Sequence, residues 1–285
     1  MSIAVVTDST ASLPPALRRE HGIRAVPLHL VVDGVDRVEG DEADATSVIE
    51  ALRRKASVST ARPSPTSFLD AYEAAAADGA TEIISMHISG ALSGTADSAR
   101  SAAEHSPVPV HVVDSRTVAM DLGFAAVGAA RDAAQGRDVA EVIERAERRC
   151  AASSVRLVVT SLEQLRRGGR IGGASALLGS ALSIKPVLHV LDGEVQPLER
   201  VRTTNKAIAR LRALAEQDCE NLPDWADGVE IAVHHVDAAE RAQPLAESLI
   251  EQVDAPVDLY PISAIIGAHV GTGTVGVAVS PRPRD

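Results

Sequence analysis

The alternation of short apolar runs with helical patterns constrains the fold of this chain more than any other feature. In the first half, four apolar runs predict strands: Ile3–Val6, Ala25–Val32, Glu82–His87 and Val110–Val113. Helical patterns lie between and after them: Ser47–Arg54, Pro65–Ala77, Thr95–Glu104 and Val118–Ala134. Short strands separated by helices are typical of a parallel sheet that is covered on both faces. We therefore predict an N-terminal α/β domain over residues 1–153.

The pattern changes near residue 155. A strand pattern at Val155–Thr160 is followed by a basic, glycine-rich segment and by a small-residue helix predicted near Ala174–Ala181. The runs Val187–Val190 and Val195–Val201 flank Asp192-Gly193, a dipeptide typical of a tight hairpin turn. Strand and helix patterns then alternate to residue 279. A hairpin inside an α/β pattern predicts a mixed sheet, so we expect a second α/β domain over residues 154–285.

Composition excludes several classes of function. Lys and Arg total 28 against 39 Asp and Glu, a formal net charge of −11, and aromatic residues make up 2% of the chain. An acidic chain with few rings to stack on bases is not expected to bind nucleic acid. No apolar run approaches the roughly 18 residues that span a bilayer. The N-terminus is typical of a strand rather than a signal peptide, so we expect a cytoplasmic protein.

Other chemistry-bearing patterns are weak. The two cysteines lack a C-x-x-C spacing, and neighbouring His234 and His235 on a strand face opposite sides, so no metal site is expected. Gly271–Gly276 fits G-x-G-x-x-G, but a strand pattern follows where a dinucleotide-binding loop needs a helix. Gly90–Gly94 resembles a nucleophile elbow with its serine displaced by one position. A serine hydrolase that uses Ser93 and a histidine base therefore remains an alternative function.

Hydroxyl side chains occur beside two predicted helix starts. Ser93 and Thr95 begin the helix after the third strand, and Thr60 lies shortly before the helix that Ser64-Pro65 predicts. Free N–H groups and the helix dipole favour an anion at such positions. The alternative is that each hydroxyl caps only its own helix.

Seven segments in this order resemble the DegV family of bacterial lipid-binding proteins. They are Thr7–Thr10, Val58–Pro65, Ile88–Thr95, Val113–Ser115, Leu165–Ile171, Ser183–Val187 and Gly267–Gly271. The resemblance implies two α/β domains with a long-chain fatty acid, C16–C18, held between them. It also implies that the chain is the fatty-acid-binding subunit of a fatty acid kinase. A separate kinase protein would phosphorylate the bound carboxylate, and this chain would be a carrier without a catalytic residue, metal or cofactor of its own.

The resemblance assigns residues one at a time. Thr60 and Ser93 occupy the positions that bind the fatty acid carboxylate, and His269 is expected near the same head group. Arg170 and Arg202 fall where family members have basic residues that face the kinase. The chain departs from the family pattern at Ala61, Arg62 and Ala96, and its late glycine-rich block lacks a common proline. A sugar- or nucleotide-phosphate binder that uses the glycine-rich loops is a further alternative.

Overall fold

The computed structural model describes residues 2–40, 42–177 and 184–284. In chain order the elements are β1 (Ile3–Asp8), a 3-10 turn (Ser9–Ala11), α1 (Pro15–Glu20), β2 (Arg24–Val26), β3 (His29–Val32), β4 (Val35–Val38), α2 (Glu42–Arg53), β5 (Val58–Ala61), α3 (Pro65–Ala77), β6 (Glu82–His87), α4 (Thr95–Ala103), β7 (Val110–Asp114), α5 (Met120–Ala134), α6 (Val139–Ala152), β8 (Ser154–Val158), α7 (Glu163–Arg167), a second 3-10 turn (Gly172–Leu177), β9 (Lys185–Leu191), β10 (Glu194–Val201), α8 (Thr204–Glu220), β11 (Ala226–Val236), α9 (Ala239–Gln252), β12 (Val257–Pro261), α10 (Ala264–Val270) and β13 (Thr274–Pro283).

The N-terminal sheet is parallel, as predicted. Its strand order is β2-β1-β6-β7, and neighbouring side chains of each strand point to opposite faces. Val6 and Ile83 pack against α3 and α4, whereas Val5 and Ile84 pack in the core that α5 and α6 cover. Helices therefore cover both faces, which explains why these strands read as continuous apolar runs.

A small antiparallel sheet in the order β4-β3-β5 was not predicted. The strand expected over Ala25–Val32 is two strands, because the chain leaves the parallel sheet after Val26 and crosses Pro27 before β3 begins. Proline has no N–H to donate to a ladder, so a strand commonly breaks there. Strand β3 then pairs with β4 through the Asp33-Gly34 turn and with β5 on its other side.

The C-terminal sheet is mixed, as predicted, with the order β10-β9-β8-β13-β11-β12. Strands β9 and β10 form the expected hairpin, and Asp192 and Gly193 have φ of +53° and +84°, the positive values that a type I′ turn requires. Helices α8 and α9 cover one face of this sheet. Part of the other face packs against α5 and α6, and the rest borders a cavity.

Some boundaries differ from expectation. Helix α2 begins at Glu42 rather than Ser47, and the helix predicted over Ala174–Ala181 is a 3-10 turn as far as Leu177. The rest of that prediction, and Ser183, lie outside the described residues. The division at residues 153 and 154 stays a prediction, because α5 and α6 contact both large sheets. Over the described part of the chain, no helix is long and apolar enough to cross a membrane.

Candidate functional site

An apolar cavity of about 320 Å³ lies between the loops of the N-terminal half and the uncovered face of the mixed sheet. Its floor consists of side chains that alternate along adjacent strands. Val155 of β8 pairs with Val190 of β9, and Leu157 of β8 and Val236 of β11 lie on the same face on either side of β13. Ile265 and Ile266 of α10 and Leu28 complete the apolar wall. The volume falls at the lower end of the range of small-molecule sites, roughly 300–1,000 Å³.

Gly276 lies on this floor between the strand neighbours Leu157 and His234. A Cβ atom added there would stand 3.3 Å from the Arg156 carbonyl oxygen and 3.6 Å from Leu157 Cβ. The glycine therefore keeps the middle of the floor free of a side chain. Gly276 is the last glycine of the G-x-G-x-x-G match. Its role is steric, and it lies in a strand rather than in a phosphate-binding loop.

One end of the cavity is polar, and two predicted site residues meet there. Thr60 Oγ1 lies 2.8 Å from His269 Nε2, across 209 positions of sequence. Thr60 is not beside a helix N-terminus, as the sequence suggested, but on β5, where it pairs with Leu30 of β3. His269 lies in the last turn of α10. The Glu39 carboxylate holds the start of that helix by accepting hydrogen bonds from the Ser263 hydroxyl at 2.9 Å and the Ile265 N–H at 3.3 Å.

The charge state of His269 follows from its surroundings. Burial, and secondarily the positive charge of Arg170, lower the pKa of His269 to about 4. Its ring is therefore neutral at neutral pH, with one nitrogen that donates and one that accepts. Gly168 packs so closely that an added Cβ would lie 2.2 Å from His269 Nδ1. This contact and the bond to Thr60 fix the orientation of the ring.

Ser93 lines the same cavity from the loop between β6 and α4. The Asp8 carboxylate anchors the start of this loop by accepting a hydrogen bond from the Ile88 N–H at 3.1 Å. Within the loop, the Ser93 N–H donates to the Ser89 carbonyl at 3.0 Å. The Ser93 hydroxyl bonds to the Thr95 hydroxyl at 2.8 Å. The N-cap residue of α4 is Gly94 rather than Ser93, so no side chain caps this helix. The alternative that Ser93 and Thr60 serve only as caps of their own helices is therefore wrong.

Two arginines border the polar end. Arg170 donates to the carbonyl oxygens of Leu92 at 2.9 Å and Gly168 at 2.6 Å, and Arg62 donates to the Gly94 carbonyl at 3.2 Å. No carboxylate among the described residues forms an ion pair with either guanidinium. Arg202 is exposed and is absent from the cavity lining. The fold thus brings together Thr60, Ser93, His269 and Arg170 but not Arg202.

His234 also lines the cavity, a position that the sequence did not reveal. Its Nδ1 donates to the Tyr260 carbonyl at 3.1 Å, and its Nε2 accepts the Met120 N–H at 3.3 Å. Complete burial lowers the pKa of His234 to about 4. The neutral ring therefore joins the N-terminus of α5 to the mixed sheet. Its place on the buried face of β11 follows from the strand alternation, but its partners are 26 and 114 residues away.

The sequence also did not reveal a buried chain of polar side chains beneath the Ser93 loop. His87 Nδ1 lies 3.0 Å from Asp8 Oδ2, His87 Nε2 lies 2.7 Å from Ser85 Oγ, and Ser85 Oγ lies 2.8 Å from the Tyr72 hydroxyl. These four side chains are fully buried. The residue types are those of a hydrolase triad, but a serine enclosed on all sides has no route to substrate. The Ser93 hydroxyl bonds to a threonine rather than a histidine, so the hydrolase alternative gains no nucleophile–base pair.

Fold and cavity define an α/β protein with two large sheets, in which the mixed sheet and the loops of the N-terminal half enclose an apolar chamber with a polar end. The profile of the DegV family, described as one of uncharacterised proteins, matches residues 2–282. A DegV domain-containing protein of Streptomyces coelicolor is 46% identical over 282 residues, covering 98% of this chain and 99% of the relative. The chain therefore belongs to the DegV family.

Solved structures agree over the full length. A DegV family protein from Thermus thermophilus, reported for its fatty acid binding, is 32% identical with a TM-score of 0.91, covering 99% of this chain and 100% of that one. DegV of Bacillus subtilis, described as a fatty acid binding protein, is 31% identical with a TM-score of 0.89, covering 99% of each chain. The predicted family and two-sheet architecture are thus confirmed.

Proposed function

We propose that this chain binds a long-chain fatty acid in the apolar cavity, with its carboxylate at Thr60, Ser93 and His269. The observation that carries the proposal is a chamber walled by aliphatic side chains whose polar end gathers two hydroxyls and a neutral imidazole. Two solved relatives above 30% identity are described as fatty acid binding proteins, which supports the same ligand class here.

Burial of the alkyl chain supplies the affinity. About 14 methylenes leaving water gain on the order of 11 kcal/mol at about 0.8 kcal/mol each. Ordering of the chain and loss of translational freedom oppose much of that gain. Aliphatic walls suit a flexible alkyl chain, because they make contact without demanding the geometry of aromatic stacking.

The head group needs hydrogen bonds, because a carboxylate buried without partners costs several kcal/mol. The Thr60 and Ser93 hydroxyls can donate to the carboxylate oxygens while their own oxygens accept from His269 Nε2 and the Thr95 hydroxyl. Each such bond to a charged group contributes about 1.5–3 kcal/mol. Arg62 and Arg170 add positive charge nearby without an acidic partner in the described residues to neutralise them.

We further propose that the chain presents this carboxylate to a separate fatty acid kinase. A carboxylate oxygen attacks the terminal phosphorus of ATP held by the kinase, the bond from that phosphorus to the bridging oxygen breaks, and ADP leaves. Neutral donors hold the carboxylate without a full ion pair, which keeps an oxygen nucleophilic. Arg170, at the polar end, and Arg202, on the exposed surface after β10, are the proposed contacts with the kinase. The chain then acts as a carrier rather than as a catalyst.

Extraction of the purified protein under denaturing conditions, followed by mass spectrometry, tests the ligand class. We expect C16–C18 fatty acids in a near one-to-one ratio with the chain. Release of a phosphorylated small molecule instead would support the phosphate-binder alternative. Ser93-dependent turnover of a p-nitrophenyl ester would support the hydrolase. For the kinase step, Arg170→Ala should reduce acyl-phosphate formation even at a fatty acid concentration that saturates the variant, and unchanged turnover would contradict that role.

A further inference from the structure

A second cavity, of about 350 Å³, shares lining residues with the first. Val155 and Val190 line both cavities, and these two residues are direct neighbours across β8 and β9. The segment at the start of α5 also borders both, because Val118 lines the first cavity while Thr117 and Asp121 line the second. The two cavities therefore share a pair of valine side chains, on β8 and β9.

The second cavity differs from the first in polarity, and Asp121 is its most unusual member. Asp121 is 1% exposed, and its Oδ2 accepts the Thr117 hydroxyl at 2.7 Å. Its Oδ1 is buried and has no hydrogen-bond partner among the described residues. Burial raises the pKa of Asp121 to about 6, although Thr117, Ser153, Arg149 and Ser280 each lower it in part. A buried polar atom without a bond is uncommon in native proteins and costs free energy.

The polar neighbours of Asp121 are engaged elsewhere. The Arg149 guanidinium donates to Ser280 Oγ at 2.9 Å, to the Phe124 carbonyl at 2.9 Å and to the Glu230 carboxylate. The Ser153 hydroxyl donates to the Arg149 carbonyl at 2.8 Å, and the Ser280 hydroxyl lies 2.9 Å from Ser153 Oγ, which can accept its hydrogen. No ion pair among the described residues engages Oδ1, because the Arg149 guanidinium pairs with Glu230, and Asp121 lines a space that shares Val155 and Val190 with the acyl-chain cavity.

We infer that the two cavities form one acyl-chain site whose far end recognises a hydroxyl on the distal part of a fatty acid, with Asp121 as the acceptor. This inference rests on the proposed function. A hydroxyl can donate to a carboxyl oxygen whether that carboxyl is ionised or protonated. A plain hydrocarbon tail leaves Oδ1 without a bond, so Asp121 discriminates between the two kinds of chain. Sites that hydrogen-bond a substrate hydroxyl disfavour the analogue that lacks it, because their polar groups then stay unpaired.

The first test compares ligands on the delipidated full-length chain. The probes are palmitic acid and a series of monohydroxypalmitic acids with the hydroxyl moved from the α to the ω carbon. We expect at least one distal isomer to bind as tightly as palmitic acid or more tightly. A hydroxyl buried without a partner would instead weaken binding by about tenfold or more. If every distal isomer binds more weakly than palmitic acid, the inference is wrong.

The second test assigns the effect to Asp121. In Asp121→Leu we expect the preferred distal isomer to lose about tenfold in affinity relative to palmitic acid. Glu147→Gln is the matched control, because Glu147 is an exposed carboxylate that lines the same cavity, and its variant should keep the wild-type ratio. An unchanged ratio in Asp121→Leu overturns the inference. If that variant does not fold, the ligand series on the wild type decides alone. Failure of palmitic acid itself to bind the wild type would instead contradict the proposed function.

Discussion

Two groups of polar side chains in this molecule use the same residue types for different purposes. At the cavity, His269 bonds to Thr60 and lies beside an open chamber. Below the Ser93 loop, His87 bonds to Ser85 and Asp8 inside the protein, with none of the three exposed. The two groups differ in whether a ligand can reach them rather than in their residue types. The first group offers hydrogen bonds to a ligand, and the second uses its hydrogen bonds on the protein itself.

The buried group supports the cavity group mechanically. Asp8 accepts from the N–H groups of Thr10 and Ile88, from the Thr10 hydroxyl and from His87. It thus joins the ends of β1 and β6, from which the loops bordering the cavity begin. Substitutions should therefore separate the two groups, because changes in the buried group reduce stability and changes in the cavity group reduce binding.

The largest effect is expected from Asp8→Ala. Loss of the carboxylate leaves several buried donors without an acceptor, which costs about 3–5 kcal/mol in free energy of unfolding. Urea unfolding followed by circular dichroism measures the loss. Asp36→Ala is the control, because the Asp36 side chain is 63% exposed and pairs with the partly exposed His29, so its change should be small. A loss below about 1 kcal/mol for Asp8→Ala would mean that the buried chain is not a support.

The next effect concerns pH and involves the histidines at the cavity. The pKa of His234 and that of His269 are both lowered to about 4, from 6.5, mainly by burial. The unfolded chain therefore binds protons below pH 6.5 that the folded chain does not bind, so stability is full above pH 6.5 and falls until about pH 4. Each histidine contributes up to roughly 3 kcal/mol across this window.

Unfolding free energies measured at intervals from pH 7 to pH 4 test that dependence. His269→Gln keeps a donor for Thr60 but does not titrate, so its stability should fall less steeply with acid than that of the wild type. An equally steep fall in the variant would show that His269 does not contribute to the pH dependence.

A smaller effect, on binding rather than stability, is expected from Thr60→Val and from Ser93→Ala. Each removes one hydrogen bond to the carboxylate and should weaken fatty acid binding by about 1.5–3 kcal/mol. Displacement of a fluorescent fatty acid measures the affinity, and urea unfolding should show little change. Thr66→Val, at an exposed position of α3 outside the cavity, is the control. Undiminished affinity in both site variants would remove the head-group assignment.

The parts of this structure that the sequence predicted are those that local patterns determine. Val5 and Val6 point to opposite faces of a covered sheet, and the sequence shows this as an apolar run. Asp192-Gly193 predicted the hairpin because few residue pairs adopt two positive φ values at low cost. Ser64 caps α3 as predicted, and its hydroxyl accepts the Ser67 N–H at 3.1 Å.

The parts that the sequence did not predict depend on contacts between distant segments. Thr60 reaches the cavity because β5 pairs with β3 in the small antiparallel sheet. The sequence did not predict that sheet, because the apolar run Ala25–Val32 looked like one strand rather than two. For His234 the sequence predicted only that it faces the opposite side of its strand from His235, since its partners Met120 and Tyr260 come from other elements. Thr60 and Ser93 were identified through their resemblance to a family, and that resemblance carries long-range information that spacing alone does not.

The smallest expected effect distinguishes charge from hydrogen bonding at the cavity's polar end. Arg62 lines the cavity, and its guanidinium bonds to the Gly94 carbonyl beside Ser93. Because Arg62 is exposed, water and salt screen its attraction for a carboxylate, so Arg62→Gln should weaken fatty acid binding by only about twofold to fivefold. The difference should shrink as salt rises, whereas the loss in Thr60→Val should not. Arg100→Gln, which removes an exposed arginine paired with Asp97, should leave both affinity and salt dependence unchanged. Equal salt dependence in wild type and Arg62→Gln would show that the charge of Arg62 does not contribute to carboxylate binding.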